Sequence, residues 1–405
     1  MSGAEGPGQP GGRALRAPAA VLLSAAFAAA VVFGVLPSVT GRVLNPTLDP
    51  SALPLGDEAR RIHATLTGVD LHADALLWDR SLLRRGRWGH VDVPRLVDGH
   101  VAVQAFTVVT KTPRRMNIQA NTGDTDIITA LAVLQAWPPR TWGSLLERAL
   151  YQADKLQRLA AVSDGALAVI RTREDLRGFL SSRSAEEPTV AGFLGLEGAH
   201  ALEGDLANVG RLWEAGFRVI GLTHFFDNEV GGSAHGVSRG GLTGFGVQVL
   251  ERMEELGMIV DLAHASPALM DDVLARATRP VIVSHTGVKG TCPNQRNLDD
   301  ERLAAVAGSG GVVGIGLWDT AVCGTTPADW ARAVRYAADR VGADHVALGS
   351  DWDGAVTAIL DASGTVYLVQ ALLDAGFGEQ EIRGILGGNV VRLLLETLPS
   401  QRRGG

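Results

Sequence analysis

From residue 68 onward, short apolar runs alternate with stretches of helical period, and each run ends on a residue able to bind a metal or move a proton. The first is Gly-Val-Asp-Leu-His-Ala-Asp at 68–74. Side chains two apart on an extended strand share a face, so His72 and Asp74 are able to reach one ion. The same arrangement recurs in runs ending at Glu197, His224, His264, His285 and Asp351. Six such ends describe the catalytic face of a barrel. Further strands are expected over 101–109 and 311–318, with a small extra one over 166–171. Helices are expected over 124–161, broken at Pro138-Pro139 and restarted at the cap Thr141, then over 206–215 and 246–256. Ser266-Pro267 reads as the N-cap and first residue of another. Eight main strands separated mostly by helices predict an α/β fold, a (β/α)8 TIM-type barrel over 59–399. Residues 228–244 form a long glycine-rich connection, expected to act as a lid or substrate loop.

The N-terminal pattern is different. Residues 1–18 are Gly/Pro-rich and are expected to be a disordered cytoplasmic tail. Residues 19–36 are apolar apart from Ser24 and Gly34, close to the length that spans a bilayer. A cleavable signal peptide competes, but the apolar run continues past the Ala-rich sites near Ala28–Ala30, which favours an uncleaved transmembrane anchor. Arg13 and Arg16 before it keep the N-terminus in the cytoplasm, placing the barrel outside. Residues 37–58 are expected to be a linker.

Composition narrows the function. A net charge of −7 argues against nucleic acid as a partner. Only two cysteines, Cys292 and Cys323, are present and they form no C-x-x-C, so a thiolate zinc site is not expected. Neutral imidazoles and carboxylates are instead the inventory of a hydrolytic two-metal centre. His72, Asp74, Glu197, His264, His285 and Asp351 supply it. Asp70 is expected to make structural hydrogen bonds beneath the site, while His200 and His235 have no assigned role.

With these motifs the chain resembles the membrane dipeptidase (renal dipeptidase) family of zinc peptidases, in the amidohydrolase superfamily. The resemblance rests on Val-Asp-Leu-His-Ala-Asp, Leu-Gly-Leu-Glu-Gly-Ala-His, Gly-Leu-Thr-His, Ile-Val-Asp-Leu-Ala-His-Ala-Ser, Val-Ser-His, Gln-Arg-Asn-Leu and Gly-Ser-Asp-Trp-Asp-Gly. They run in the family's order over about 65–398. The resemblance implies a binuclear zinc dipeptidase, with one of two Zn2+ ions held by His72 and Asp74, the other by His264 and His285, and Glu197 between them. It makes Asp351 the acid/base, His224 the group that stabilises the oxyanion, and Arg296 the clamp for the substrate's terminal carboxylate. Trp318 falls where the family has an aromatic near the substrate. It also implies that Cys292 and Cys323 form a disulfide, which an oxidising compartment would favour.

Two departures stand out. The C-terminus lacks the apolar tail that precedes the animal members' lipid anchor, so attachment would be N-terminal. Residues 110–144, with Lys111, Arg114, Arg115 and two tryptophans, do not follow the dipeptidase pattern and are expected to reshape the substrate pocket. The expected partners are a small peptide, the membrane and, in a dimeric arrangement, a second copy. The alternatives are another amide or lactam hydrolase, such as one cleaving N-acyl amino acids, and a membrane-anchored binding protein that has lost catalysis.

Overall fold

The computed structural model describes Gly3, residues 31–184 and residues 188–400. Among them are β1 (Gly68–Ala73), β2 (Val101–Val109), β3 (Leu167–Val169), β4 (Val190–Glu197), β5 (Phe217–Gly221), β6 (Ile259–Asp261), β7 (Ile282–Thr286), β8 (Val312–Ile315) and β9 (Val346–Leu348). They pair in the order β2-β1-β9-β8-β7-β6-β5-β4-β3, and β2 also pairs with β4. That last pairing, in register from Val103↔Ala191 to Val109↔Glu197, closes eight strands into a ring and leaves β3 outside it. All pairings are parallel, so every strand ends on the same face of the barrel, as expected for the (β/α)8 fold.

Alternation along the strands decides what that face carries. On β1, Asp70 and His72 share one side. Val69 and Leu71 share the other, where they join Ile282, Val390 and Leu393 in an apolar cluster with the last helix, Asn389–Thr397. Asp70 is fully buried and accepts from the Gln104 amide and from the backbone N–H and hydroxyl of Ser350. It ties β1 to β2 and to the loop after β9, the structural role expected of it.

Several expectations need correction. The runs ending at His224 and His264 are shorter strands than the pattern predicts: β5 stops at Gly221 and β6 at Asp261. The chain leaves the ladder because the Asp261 carboxylate accepts from Ala263 N–H and the Ala265 N–H returns to the Leu262 carbonyl. The helical stretch over 124–161 is three pieces, Ile128–Leu134, Arg140–Gly143 and Leu145–Ala161. Ser144, not Thr141, caps the last, accepting from Glu147 N–H; the Thr141 hydroxyl donates to the Pro138 carbonyl instead. Residues 37–58 are not a bare linker. Leu36–Leu44 is a helix with Pro37 in its first turn, where a missing N–H costs nothing. It docks through Gly41, where any Cβ would collide with the Trp88 ring, and the Trp88 indole donates to Ser38. A second helix, Asp57–His63, also begins inside that stretch.

The expected tail over 1–18 and most of the expected anchor over 19–36 lie outside the described residues. Among the described residues no helix is long and apolar enough to cross a membrane.

Candidate metal centre

Each strand-end residue singled out by the sequence arrives at one buried cluster. Glu197, the last residue of β4, stands at its middle. Its Oε1 lies 3.1 Å from His264 Nε2, 3.5 Å from His285 Nε2 and 3.5 Å from His72 Nε2. His224 Nε2 lies 3.5 Å from Oε2. Asp74 follows β1 and places Oδ1 3.6 Å from His72 Nε2. Three overlapping triads have their ligand atoms within 4.8 Å of one another: His72, Glu197 and His285; Glu197, His224 and His264; His72, Asp74 and Asp351.

The donor set fits cations. His264 Nε2 and His285 Nε2 are 3.0 Å apart and both face Glu197 Oε1. Burial pushes both imidazoles well below their ordinary range, so they are neutral, the ligating form. Nε2 of His72 is buried without a hydrogen-bond partner. Burial, then the neighbouring Asp74, raises the Glu197 carboxyl well above its usual range. Burial likewise raises Asp351 to about 7. For His72 burial opposes the charge, but Glu197 and Asp74 outweigh it and raise the ring to about 10. Gathered carboxylates with one imidazolium among them are the electrostatic state that divalent ions relieve.

Supporting contacts missed by the sequence reading fix the rings. Ser284 Oγ lies 3.1 Å from His72 Nδ1 and 3.0 Å from His285 Nδ1, turning both Nε2 atoms toward Glu197. The Ser284 N–H donates to Asp261 Oδ1, which anchors that hydroxyl on β7. Thr107 donates to Asp74 Oδ1 at 2.6 Å. The available signal was Ser284's place directly before His285, and Thr107's on the strand beside Asp74. Backbone conformation adds another hint: His264 (φ 61°) and Asp351 (φ 60°) are both left-handed, a costly region for non-glycine residues that clusters at functional sites.

Arg296 and Trp318 line the cavity above the cluster with His224 and Asp351. Arg296 is buried, donates to the His285 carbonyl at 2.7 Å and forms no ion pair among the described residues. Burial draws its guanidinium down to about 10, still cationic at neutral pH. His224 is held neutral by burial, its pKa near 3. His235 also lines the cavity, its Nδ1 donating to the Ile118 carbonyl, whereas His200 faces Thr110. Of the glycine-rich 228–244 loop, Val230, Ser233, Ala234 and His235 are buried, so its middle is packed down beside the site. Cys292, after β7, and Cys323, after β8, are joined by a disulfide across 31 residues.

Comparison with known proteins agrees with this geometry. The family model for membrane dipeptidase (peptidase family M19) matches residues 56–402. The dipeptidase aclJ of Aspergillus oryzae is 28% identical over 377 residues, covering 87% of this chain and 84% of that protein. Dipeptidase 3 of Rattus norvegicus is 32% identical over 229 residues, but the match spans 50% of this chain and 44% of the rat protein. Among solved structures, a metallopeptidase from Rhodobacter sphaeroides, liganded with a phosphinate mimic of the dipeptide L-Ala-D-Ala, superposes with a TM-score of 0.65 at 25% identity. That match covers 82% of this chain and 99% of the bacterial one.

Proposed function

Because the chain belongs to the membrane dipeptidase family and is, with it, a metal-dependent dipeptidase, we propose that it uses two zinc ions to hydrolyse dipeptides bearing a free C-terminal carboxylate. The observation that carries the binuclear reading is the position of Glu197 between the two ligand pairs. His72 and Asp74 would hold one ion and His264 and His285 the other, with Glu197 within reach of both. Bound there, the pair would polarise the scissile carbonyl and make a water nucleophilic near neutral pH.

The protein's own groups do the rest. Asp351, beside His72 and Asp74 at the end of the last strand, takes the water's proton and returns it to the leaving amine. His224 lines the cavity beside Glu197 and stabilises the developing oxyanion. Arg296 presents a buried guanidinium with no ion-pair partner among the described residues, and the substrate carboxylate supplies one. The convergence of all these groups in one pocket supports catalysis over a binding-only role. Attachment through residues 19–36, with the barrel outside the cytoplasm, is part of the same reading, and the disulfide supports an oxidising compartment.

The test is hydrolysis of a dipeptide panel by zinc-loaded protein, with C-terminally amidated counterparts. Free dipeptides should be cleaved and the amides poorly. Equal rates on both would reject the carboxylate requirement.

A further inference from the structure

The cavity above the metal residues is much larger than a dipeptide needs. Its volume is about 830 Å3, near the top of the roughly 300–1,000 Å3 that accommodates drug-sized ligands. One end holds Glu197, His224, Arg296 and Asp351. The other is apolar, walled by Leu77 and Trp78 after β1 and by Ile128, Leu131 and Leu134 of the helix after β2. Met116 and Ile118 also line the cavity, with Ile118 held beside Gln295, the neighbour of Arg296. The roof is fastened: the Gln295 side-chain amide donates to the carbonyls of Ile118 and Gln119, and His235 Nδ1 donates to Ile118 at 2.9 Å.

The two ends face each other across the barrel. Arg296 follows β7, and β7 is four places from β2 around the closed ring, in the order β2-β1-β9-β8-β7. A carboxylate held by Arg296 therefore directs the C-terminal residue toward β7 and the acyl half of the scissile amide toward the apolar end. The acidic residues lining the cavity are Asp74, Glu197 and Asp351, all in the metal centre, and of the charged residues in 111–134 only Arg114 and Arg115 line it. That wall offers no carboxylate to an ammonium group and a broad surface to hydrocarbon.

We propose that the site takes amides of a free-carboxylate amino acid whose acyl half is long and apolar. That chemistry is met by N-acyl amino acids and by dipeptides with a large apolar N-terminal side chain. The proposal rests on the dipeptidase reading and extends it to the substrate class. The reaction is the same hydrolysis: the amide C–N bond breaks, the acyl carbon gains the hydroxyl and the amine gains the proton, giving a carboxylate and a free amino acid.

The experiment is kcat/KM of the zinc-loaded protein on acetyl-, hexanoyl- and decanoyl-alanine, and on Gly-Ala against Phe-Ala and Trp-Ala. A rise with apolar size is expected, up to roughly fourfold per methylene that becomes buried. A rise in the acyl series assigns the chamber to acyl chains, and a rise in the dipeptide series alone to side chains. Flat profiles in both overturn the proposal. Met116 and Ile127 line the cavity yet are 41% and 45% exposed, so polar replacements there leave the core intact. Met116→Asp with Ile127→Asp should abolish the gain with size; a retained gain counts against the chamber. If no amide is cleaved, the dipeptidase reading falls, and calorimetric binding of decanoyl- against acetyl-alanine decides the chamber separately. Tighter binding of the longer chain supports it, and equal affinity overturns it.

Discussion

The floor and the wall of the cavity are built in opposite ways. The floor is polar, made of side chains from the ends of several strands whose parallel register leaves little freedom in where they point. The wall is apolar and comes largely from one excursion, residues 111–134, held in place by contacts with distant loops. A floor assembled from many strands fixes chemistry, and a wall assembled from one insertion sets what the chemistry is applied to. Floor variants should therefore change turnover for all substrates alike, and wall variants should change only the ranking of substrates.

The largest effect belongs to Asp351. Asp351→Asn should retain both zinc ions and lose about 10²–10⁴-fold in kcat, the range typical of a general acid–base group. The loss should be the same for small and bulky substrates. Steady-state kinetics with near-normal kcat would move the proton-transfer role elsewhere. Arg296→Met comes next. Losing a charged hydrogen bond worth about 1.5–3 kcal/mol should raise KM for free dipeptides roughly ten- to hundredfold, with amidated substrates hardly affected. Equal losses on both would remove Arg296 from the substrate's carboxylate.

The disulfide ties the loop that carries Arg296 to the loop after β8. Cys292→Ala with Cys323→Ala should cost about 3–4 kcal/mol of stability in the chain-entropy model, read as a lower denaturant midpoint. A higher KM should accompany it; an unchanged KM would show that the Arg296 loop holds its place without the bridge.

The smallest expected effect is on the opposite face of the barrel. His63, at the end of the helix before β1, is buried against Thr365 and meets the His100 ring edge-on. Burial, then the His100 charge, lowers its pKa to about 4. The unfolded chain takes up this proton near 6.5 and the folded one only near 4. Its contribution to stability is therefore complete above about 6.5 and is lost as pH falls toward 4. His63→Gln should reduce proton uptake on unfolding at pH 5 by about one, with kcat at neutral pH unchanged. Unaltered uptake would place the proton on another group.

The contrast between floor and wall also decides what the sequence disclosed. The residues of the buried His, Asp and Glu cluster were legible because a strand's period of two and a repeated apolar run ending in His, Asp or Glu leave a regular trace. The disulfide followed from family resemblance rather than from spacing. The shortened ends of β5 and β6 were not legible, since they depend on where Asp261 directs its hydrogen bonds and on the left-handed backbone at His264. Ser284 was hidden because one hydroxyl serving two rings is a property of β1 and β7 together. Residues 111–121 show no period at all, and partners more than a hundred residues away fasten them, Gln295 to Ile118 among these. The helix Leu36–Leu44 was obscured by its proline, although that proline sits where a helix tolerates one.

The shared position of Glu197 is tested most directly by the zinc content of the purified, dialysed protein, measured by atomic emission beside its Glu197→Gln variant. Two zinc ions per chain are expected in the wild type, with at least one lost in the variant, because an amide is a poor bridge between two cations. A single zinc in the wild type would contradict the binuclear centre.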